Sequence, residues 1–262
     1  MPRRRVHAYE FEDQPWFPAE LRGYLTDVLH VAHRVFRVYR LWAPRIAELM
    51  EQTGERRLVD LCSGGGGPAL AIADQLRDRG LQPDLTLTDL YPNHTACARI
   101  NGAGRPDLRY RAESVDATAV PPELDGIRTL FAGFHHMPEA AARSILADAC
   151  RQGRCICVFE LTDNSLHAIA TYLLSIPLLT WSFTPLTRPL NARRLLLTYA
   201  LPLMPFLITW DGVASHLRTY SARELLALTE GLDHGGYRWE AGHLWHFPIP
   251  YRLPYLIGRP GA

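Results

Sequence analysis

A short apolar run that ends on an acid, enters a string of glycines and leaves as a helix restricts this chain more than anything else in it. Arg57-Leu58-Val59-Asp60-Leu61 runs into Ser63-Gly64-Gly65-Gly66-Gly67-Pro68, and Ala69-Leu70-Ala71-Ile72-Ala73 follows. The first stretch suits a buried strand, and proline next to a helix start suits the last. Between them, glycines let the backbone turn tightly and approach a ligand at a helix N-terminus. Strand, glycine loop and helix in that order are the unit from which parallel sheets are built.

The alternation continues. Leu85-Thr86-Leu87-Thr88 reads as a strand, 92–101 as a short helix, Leu108-Arg109-Tyr110 and Ile127-Arg128-Thr129-Leu130-Phe131 as strands, 138–150 as a helix and Cys155-Ile156-Cys157-Val158-Phe159 as a fifth strand. Beyond them, Ser221 with Glu224 three residues on reads as a capping box opening a helix to Leu232. Residues 237–240 and 255–257 then supply a terminal pair of strands, giving an α/β, doubly wound, mostly parallel seven-stranded sheet. At the N-terminus Leu21, Leu25, Val28, Leu29, Ala32, Val35 and Phe36 recur at the spacing of one helix face, which predicts a helical cap over about 19–51. The expected organisation is a helical cap at 1–55 and a sheet domain at 56–262, interrupted by an apolar insertion at about 166–215. The longest apolar run there, Leu195 to Ile208, contains Pro202 and Pro205 and falls short of the ~20 residues a bilayer span needs. It is read as a buried or interfacial segment over the open end of the sheet, with core packing preferred to a lipid-binding surface.

Composition removes other classes of function. With 262 residues, 47% hydrophobic and 21% charged, the chain is globular, and a net charge of +1 gives no field to attract nucleic acid or an anionic membrane. The five cysteines are odd in number and scattered, so neither a disulfide framework nor a metal site is expected, and a reducing cytoplasm fits best. Arg3-Arg4-Arg5 leads into Glu10, Glu12 and Asp13 without an apolar run, unlike a secretory signal.

The glycine loop admits two cofactors. Gly64-x-Gly66-x-x-Ala69, with Asp89 23 residues beyond Gly66, satisfies a dinucleotide fingerprint, and an NAD-dependent oxidoreductase is one reading. Asp60 points the other way: an acid beside the loop repels a pyrophosphate but attracts an ammonium and a sulfonium. Val59-Asp60-Leu61-Cys62-Ser63-Gly64-Gly65-Gly66 resembles the first motif of class I S-adenosylmethionine-dependent methyltransferases, with Cys62 standing where the family has its first glycine. The resemblance spans roughly 56–165 and implies a seven-stranded Rossmann-like fold. It implies S-adenosylmethionine as cofactor and Asp60, Cys62, Ser63, Gly64 and Gly66 as its loop. Asp89, with Leu90 beside it, corresponds to the acid on the ribose hydroxyls. Glu113-Ser114-Val115-Asp116-Ala117 resembles the adenine motif, with Asp116 and Ala117 as contacts. Phe131-Ala132-Gly133-Phe134-His135-His136-Met137-Pro138 resembles the stretch after the fourth strand of small-molecule members, with Phe134 on the cofactor.

Methyl transfer to a hydroxyl needs a base, and a histidine titrating near neutrality can take the proton. His135 and His136, at the carboxyl end of a central strand, are the candidates; adjacent in sequence, they are expected to point apart. The segment Trp210 to Tyr220 reads as a loop leading to the capped helix, with Arg218 as a substrate contact and Tyr220 as a further catalytic candidate. Trp16 and Arg22 are placed at the acceptor, although packing also explains Trp16 and its neighbour Phe17. The implied substrate is a small, fairly apolar molecule, methylated at oxygen. Three alternatives stand beside it: another reaction of S-adenosylmethionine on the same fold, the NAD-dependent oxidoreductase, and a membrane-peripheral module working through 166–210.

Overall fold

The computed structural model describes residues 5–245 and 247–261; Arg3 and Arg4 lie outside them. In chain order it contains α1 (Ala19–Phe36), α2 (Tyr39–Thr53), β1 (Arg57–Asp60), α3 (Gly67–Asp78), β2 (Asp84–Leu87), α4 (His94–Asn101), β3 (Leu108–Tyr110), β4 (Ile127–Phe131), α5 (Glu139–Arg151) and β5 (Ile156–Phe159). Then come α6 (Leu166–Phe183), α7 (Ala192–Leu195), α8 (Leu203–Arg218), α9 (Ala222–Leu228), β6 (Arg238–Leu244) and β7 (Leu253–Arg259). One seven-stranded sheet results, in the order β3-β2-β1-β4-β5-β7-β6. The first five strands run parallel, and β7 lies antiparallel between β5 and β6.

The chain forms two compact units. The sheet unit comprises 39–161, 221–244 and 253–262. Its central strands are buried on both faces, hence their unbroken apolar character: all four residues of β5 are buried. Trp42 of α2, fully buried, stacks on Phe131 of β4 and Phe159 of β5 at 5.4 and 5.8 Å between ring centroids. Asn93 caps α4 by accepting from the Ala96 amide at 3.0 Å, and the capping box of Ser221 and Glu224 opens α9. Strand order reverses between β1 and β4, and in open sheets ligands gather outside the carboxyl ends at such a point.

The other unit comprises 1–38, 162–220 and 245–252. Its core joins α1 (Tyr24, Leu25, Val28) to α6 (Ile176, Phe183) and α8 (Met204, Leu207, Ile208). Helices α6 and α8 meet closely at Gly212, where an added Cβ would lie 2.0 Å from the Tyr172 hydroxyl.

Three expectations change. The helical stretch expected over 19–51 is divided in two, because Arg37 adopts a left-handed conformation (φ 50°) that closes α1. The compact units divide at 38/39, so α2 groups with the sheet and not with the N-terminal cap that was drawn to residue 55. Residues 210–218 are helical: Pro202 caps α8 and Pro205 sits in its first turn, where a missing amide leaves no bond unmade.

Candidate functional site

Every element of the candidate site belongs to the sheet unit, beginning where β1 ends. Asp60 is only 3% exposed, and its carboxylate is engaged by protein hydroxyls: Oδ2 accepts from Ser63 Oγ at 2.6 Å and Oδ1 from Thr129 Oγ1 at 2.8 Å. Burial first, and the charge of Asp89 in smaller part, raise its pKa to about 7 against the lowering effect of those two bonds. The acid thus stands at the end of β1, where the loop begins, and shapes that loop from within. The loop beyond is left-handed at Cys62 (φ 58°), Gly64 (φ 53°) and Gly66 (φ 81°). At Gly66, the N-cap of α3, an added Cβ would also meet Leu87 Cδ2 at 2.9 Å, so glycine is required there. Cys62 adopts the family glycine's conformation with a side chain present.

Asp89, half-buried past the end of β2, ties the loop to its neighbour. Its Oδ2 accepts from the Gly64 amide and its Oδ1 from the Tyr91 amide, both at 2.8 Å. Its own carbonyl accepts from the Val115 amide at 2.9 Å, and Ser114 Oγ donates to the Leu90 carbonyl at 2.7 Å. The 113–117 loop is thereby held beside Asp89. Within it Asp116 is exposed, with Oδ1 accepting from the Thr118 amide and hydroxyl, while Ala117 is buried. The expected set Asp60, Asp89 and Asp116 does converge. The Cys62 thiol is raised to about 12, first by burial and then by the charges of Asp89, Asp60 and Asp116. Among the described residues, none of these three acids forms an ion pair. An electronegative site of this kind favours a cation. S-adenosylmethionine, with an ammonium, a sulfonium and a ribose diol, fits the donor set better than a pyrophosphate does.

The second part of the site follows β4. Ala132 is also left-handed (φ 52°), so residues past the ends of two paired strands, β1 and β4, carry strained backbone, a feature that concentrates at functional sites. A single helical turn over Phe134–His136 comes next. Phe134 is fully buried. Glu160, just past β5, holds His135 twice: Oε1 accepts from its backbone amide and Oε2 lies on Nδ1, each at 2.8 Å. Because a carboxylate only accepts, Nδ1 carries the proton and Nε2 is the basic nitrogen. The two histidine rings do not point apart as expected. Their centroids lie 4.2 Å from each other, at 35° between ring planes. Glu160 separates their roles, and it was missed as a site residue. The signal was available: Asp60, Asp89 and Glu160 each stand at or just beyond the carboxyl end of an apolar strand.

The remaining candidates belong to the other unit. Arg218 is buried and pairs with Glu10 and Asp13, while its Nε donates to the Ala8 carbonyl. Arg22 donates to the carbonyls of Glu12 and Gln14. Both arginines therefore fasten the N-terminal segment, work that explains them without a substrate. Tyr220 is buried beneath the Arg5 guanidinium, 4.0 Å from the ring centre. Trp16 is 64% exposed and packs edge-on to Phe11 and Phe17. A groove along the edge strand β3, lined by Arg57, Asp84, Arg105 and Arg109, lies where β1 and β2 begin and holds none of the candidate residues.

A pH dependence follows from Asp60. An acid with a raised folded pKa costs nothing below its ordinary value near 3.8 and destabilises increasingly as pH rises toward 7. A bound cation favours its ionised form, so binding releases a proton below pH 7. Affinity for S-adenosylmethionine is expected to rise about tenfold between pH 5.5 and 8, and Asp60→Asn should flatten that rise. Calorimetry in buffers of different ionisation enthalpy measures the released proton; an equal slope in the variant would refute the assignment.

No protein-family model and no curated protein sequence matches the chain. Among solved structures, it resembles the plantazolicin methyltransferase BpumL in complex with SAH, with a TM-score of 0.59, 11% identity, and coverage of 96% of this chain and 94% of that one. BpumL with a monoazolic desmethylPZN analog and SAH gives a TM-score of 0.58 at 12% identity, covering 95% and 93%. An O-methyltransferase family protein from Burkholderia thailandensis gives 0.50 at 16% identity, covering 93% of this chain but 61% of that one. The chain has the class I methyltransferase fold.

Proposed function

We propose that this protein is an S-adenosylmethionine-dependent methyltransferase that acts on a small, fairly apolar molecule at oxygen. The observation that carries the reading is that Asp60, Asp89 and Asp116, none of them ion-paired among the described residues, gather around Cys62 beside the glycine loop at the sheet's switch point. The cofactor, when bound, supplies an activated methyl group on a sulfonium. Asp89 binds the ribose hydroxyls, Asp116 and Ala117 receive the base, and the Gly64–Gly66 loop gives room for close approach of the backbone. His135 Nε2 takes the proton from the acceptor hydroxyl, and Glu160 keeps the ring in the right tautomer and stabilises its protonated form. BpumL, whose structure contains a small-molecule analog beside SAH, supports a small acceptor.

Parallel calorimetric titration with S-adenosylmethionine, S-adenosylhomocysteine and NAD tests the proposal. Binding of both adenosyl ligands and not NAD is expected. Binding of NAD alone would overturn it. Methylthioadenosine as product, in place of S-adenosylhomocysteine, would identify a reaction that cleaves the cofactor internally.

A further inference from the structure

The insertion packs as a core on one face only. Helix α6, extended by one turn to Leu186, is 21 residues long and apolar enough to cross a membrane, yet only 22% of its apolar window is buried. Its inner face, with Ala168, Ile176, Thr180 and Phe183, is covered within its own unit. Its outer face exposes Leu166, Leu173, Leu174, Leu178 and Trp181 at helical spacing. A second exposed apolar strip follows on the α7–α8 segment, which bends by 73°, through Leu196, Tyr199, Leu201, Phe206 and Trp210. A patch this size on a soluble surface marks an interaction site.

Three observations identify its occupant as lipid. First, from residue 164 to 210 the chain contains no Asp or Glu, and its only formal positive charges are Arg188, Arg193 and Arg194. Second, the exposed aromatic side chains turn their polar atoms inward onto backbone carbonyls. Trp181 Nε1 donates to Thr198 at 3.0 Å, Trp210 Nε1 to Tyr9 at 3.0 Å, and the Tyr199 hydroxyl to Trp181 at 2.6 Å. Third, the hydroxyls of exposed Ser182 and half-buried Thr209 donate to carbonyls one turn back in their own helices. Water would satisfy the exposed groups without such bonds; hydrocarbon would not. A protein partner could offer its own acceptors, so internal satisfaction favours an occupant that has none.

We propose that this unit docks on a lipid bilayer, with the outer face of α6 and the bent α7–α8 segment inserted to the depth of the acyl boundary. It lies on the bilayer and does not span it, because the inner face of α6 is already packed on α1 and α8. Attachment is driven by apolar burial: Arg193 and Arg194 are paired with Glu20 and Asp27, leaving little charge for anionic headgroups. The inference does not depend on the proposed catalytic activity.

Flotation of the full-length protein with phosphatidylcholine vesicles, with and without phosphatidylglycerol, tests it. Co-flotation is expected with both vesicle types and should persist at about 1 M NaCl, where charges are screened beyond ~3 Å. The double variant Leu174→Glu and Leu178→Glu changes residues that are 75% and 59% exposed, and should lose at least about tenfold of the bound fraction with its thermal melt unchanged. In the wild type, tryptophan emission should shift to the blue and be quenched by acyl-brominated lipid. Recovery of the wild-type protein in the aqueous fraction would overturn the proposal, as would flotation of the variant equal to wild type. A dimer by light scattering that the double variant converts to monomer, without flotation, would assign the face to a second copy and also overturn it. Calorimetry of the double variant with S-adenosylhomocysteine keeps this outcome separate from failure of the catalytic reading.

Discussion

Replacing His135 by alanine lowers turnover about 10²–10⁴-fold, the usual contribution of a positioned base, and leaves the affinity for S-adenosylhomocysteine unchanged. The expectation rests on one contact pair. Glu160 accepts from both the amide and Nδ1 of His135, which fixes Nε2 as the basic nitrogen. Glu160→Gln preserves shape but turns a donor toward Nδ1, reversing the tautomer; turnover should fall about 10²-fold or more, with little change in KM. His136→Ala should lower turnover less than about tenfold. Initial rates of S-adenosylhomocysteine formation with a responsive hydroxyl acceptor measure all three. A larger loss at His136 than at His135 would reassign the base, and unchanged turnover in both would remove histidine from the chemistry.

Asp89→Ala should weaken S-adenosylhomocysteine binding about 10²–10⁴-fold, since two hydrogen bonds to a charged carboxylate contribute roughly 1.5–3 kcal/mol each. Part of the loss is indirect, because the same carboxylate receives the Gly64 and Tyr91 amides and so shapes the glycine loop. Asp89→Asn keeps one acceptor oxygen and should fall between the two. Titration with a ligand lacking both the 2′- and 3′-hydroxyls separates the contributions: the direct part of the effect disappears with them, and the loop part remains. An Asp89→Ala affinity within about threefold of wild type would exclude the ribose role.

The sheet was legible because its signals are local. Short apolar runs, three of them ending at or beside an acid, and a glycine loop are written in consecutive positions, and the first five strands form where those runs stand. The break at Arg37 was not legible, since a left-handed arginine leaves no mark in apolar spacing. The functions of Arg218 and Glu160 depend on partners distant in sequence, Glu10 and Asp13 for the first and His135 for the second, which no single segment discloses. Nor does composition tell which apolar helix goes uncovered. Leu174 and Ile176 are equally apolar, and the packing of α1 and α8 leaves the first exposed and the second buried. Cys62 is the reverse case, where the sequence departs from glycine and the backbone keeps glycine's geometry.

The clamp on the N-terminal segment also carries a timetable. The amides of Phe11 and Glu12 donate to Asp211, and Arg218 holds Ala8, Glu10 and Asp13, all about 200 residues further along. On a ribosome adding roughly 5–20 residues per second, these early residues wait on the order of 10–40 s for their partners to be made. Glu10, buried in the finished molecule, spends that interval in water or in the care of a chaperone. The unit that contains it therefore closes late, after the glycine loop and the first five strands have already been synthesised.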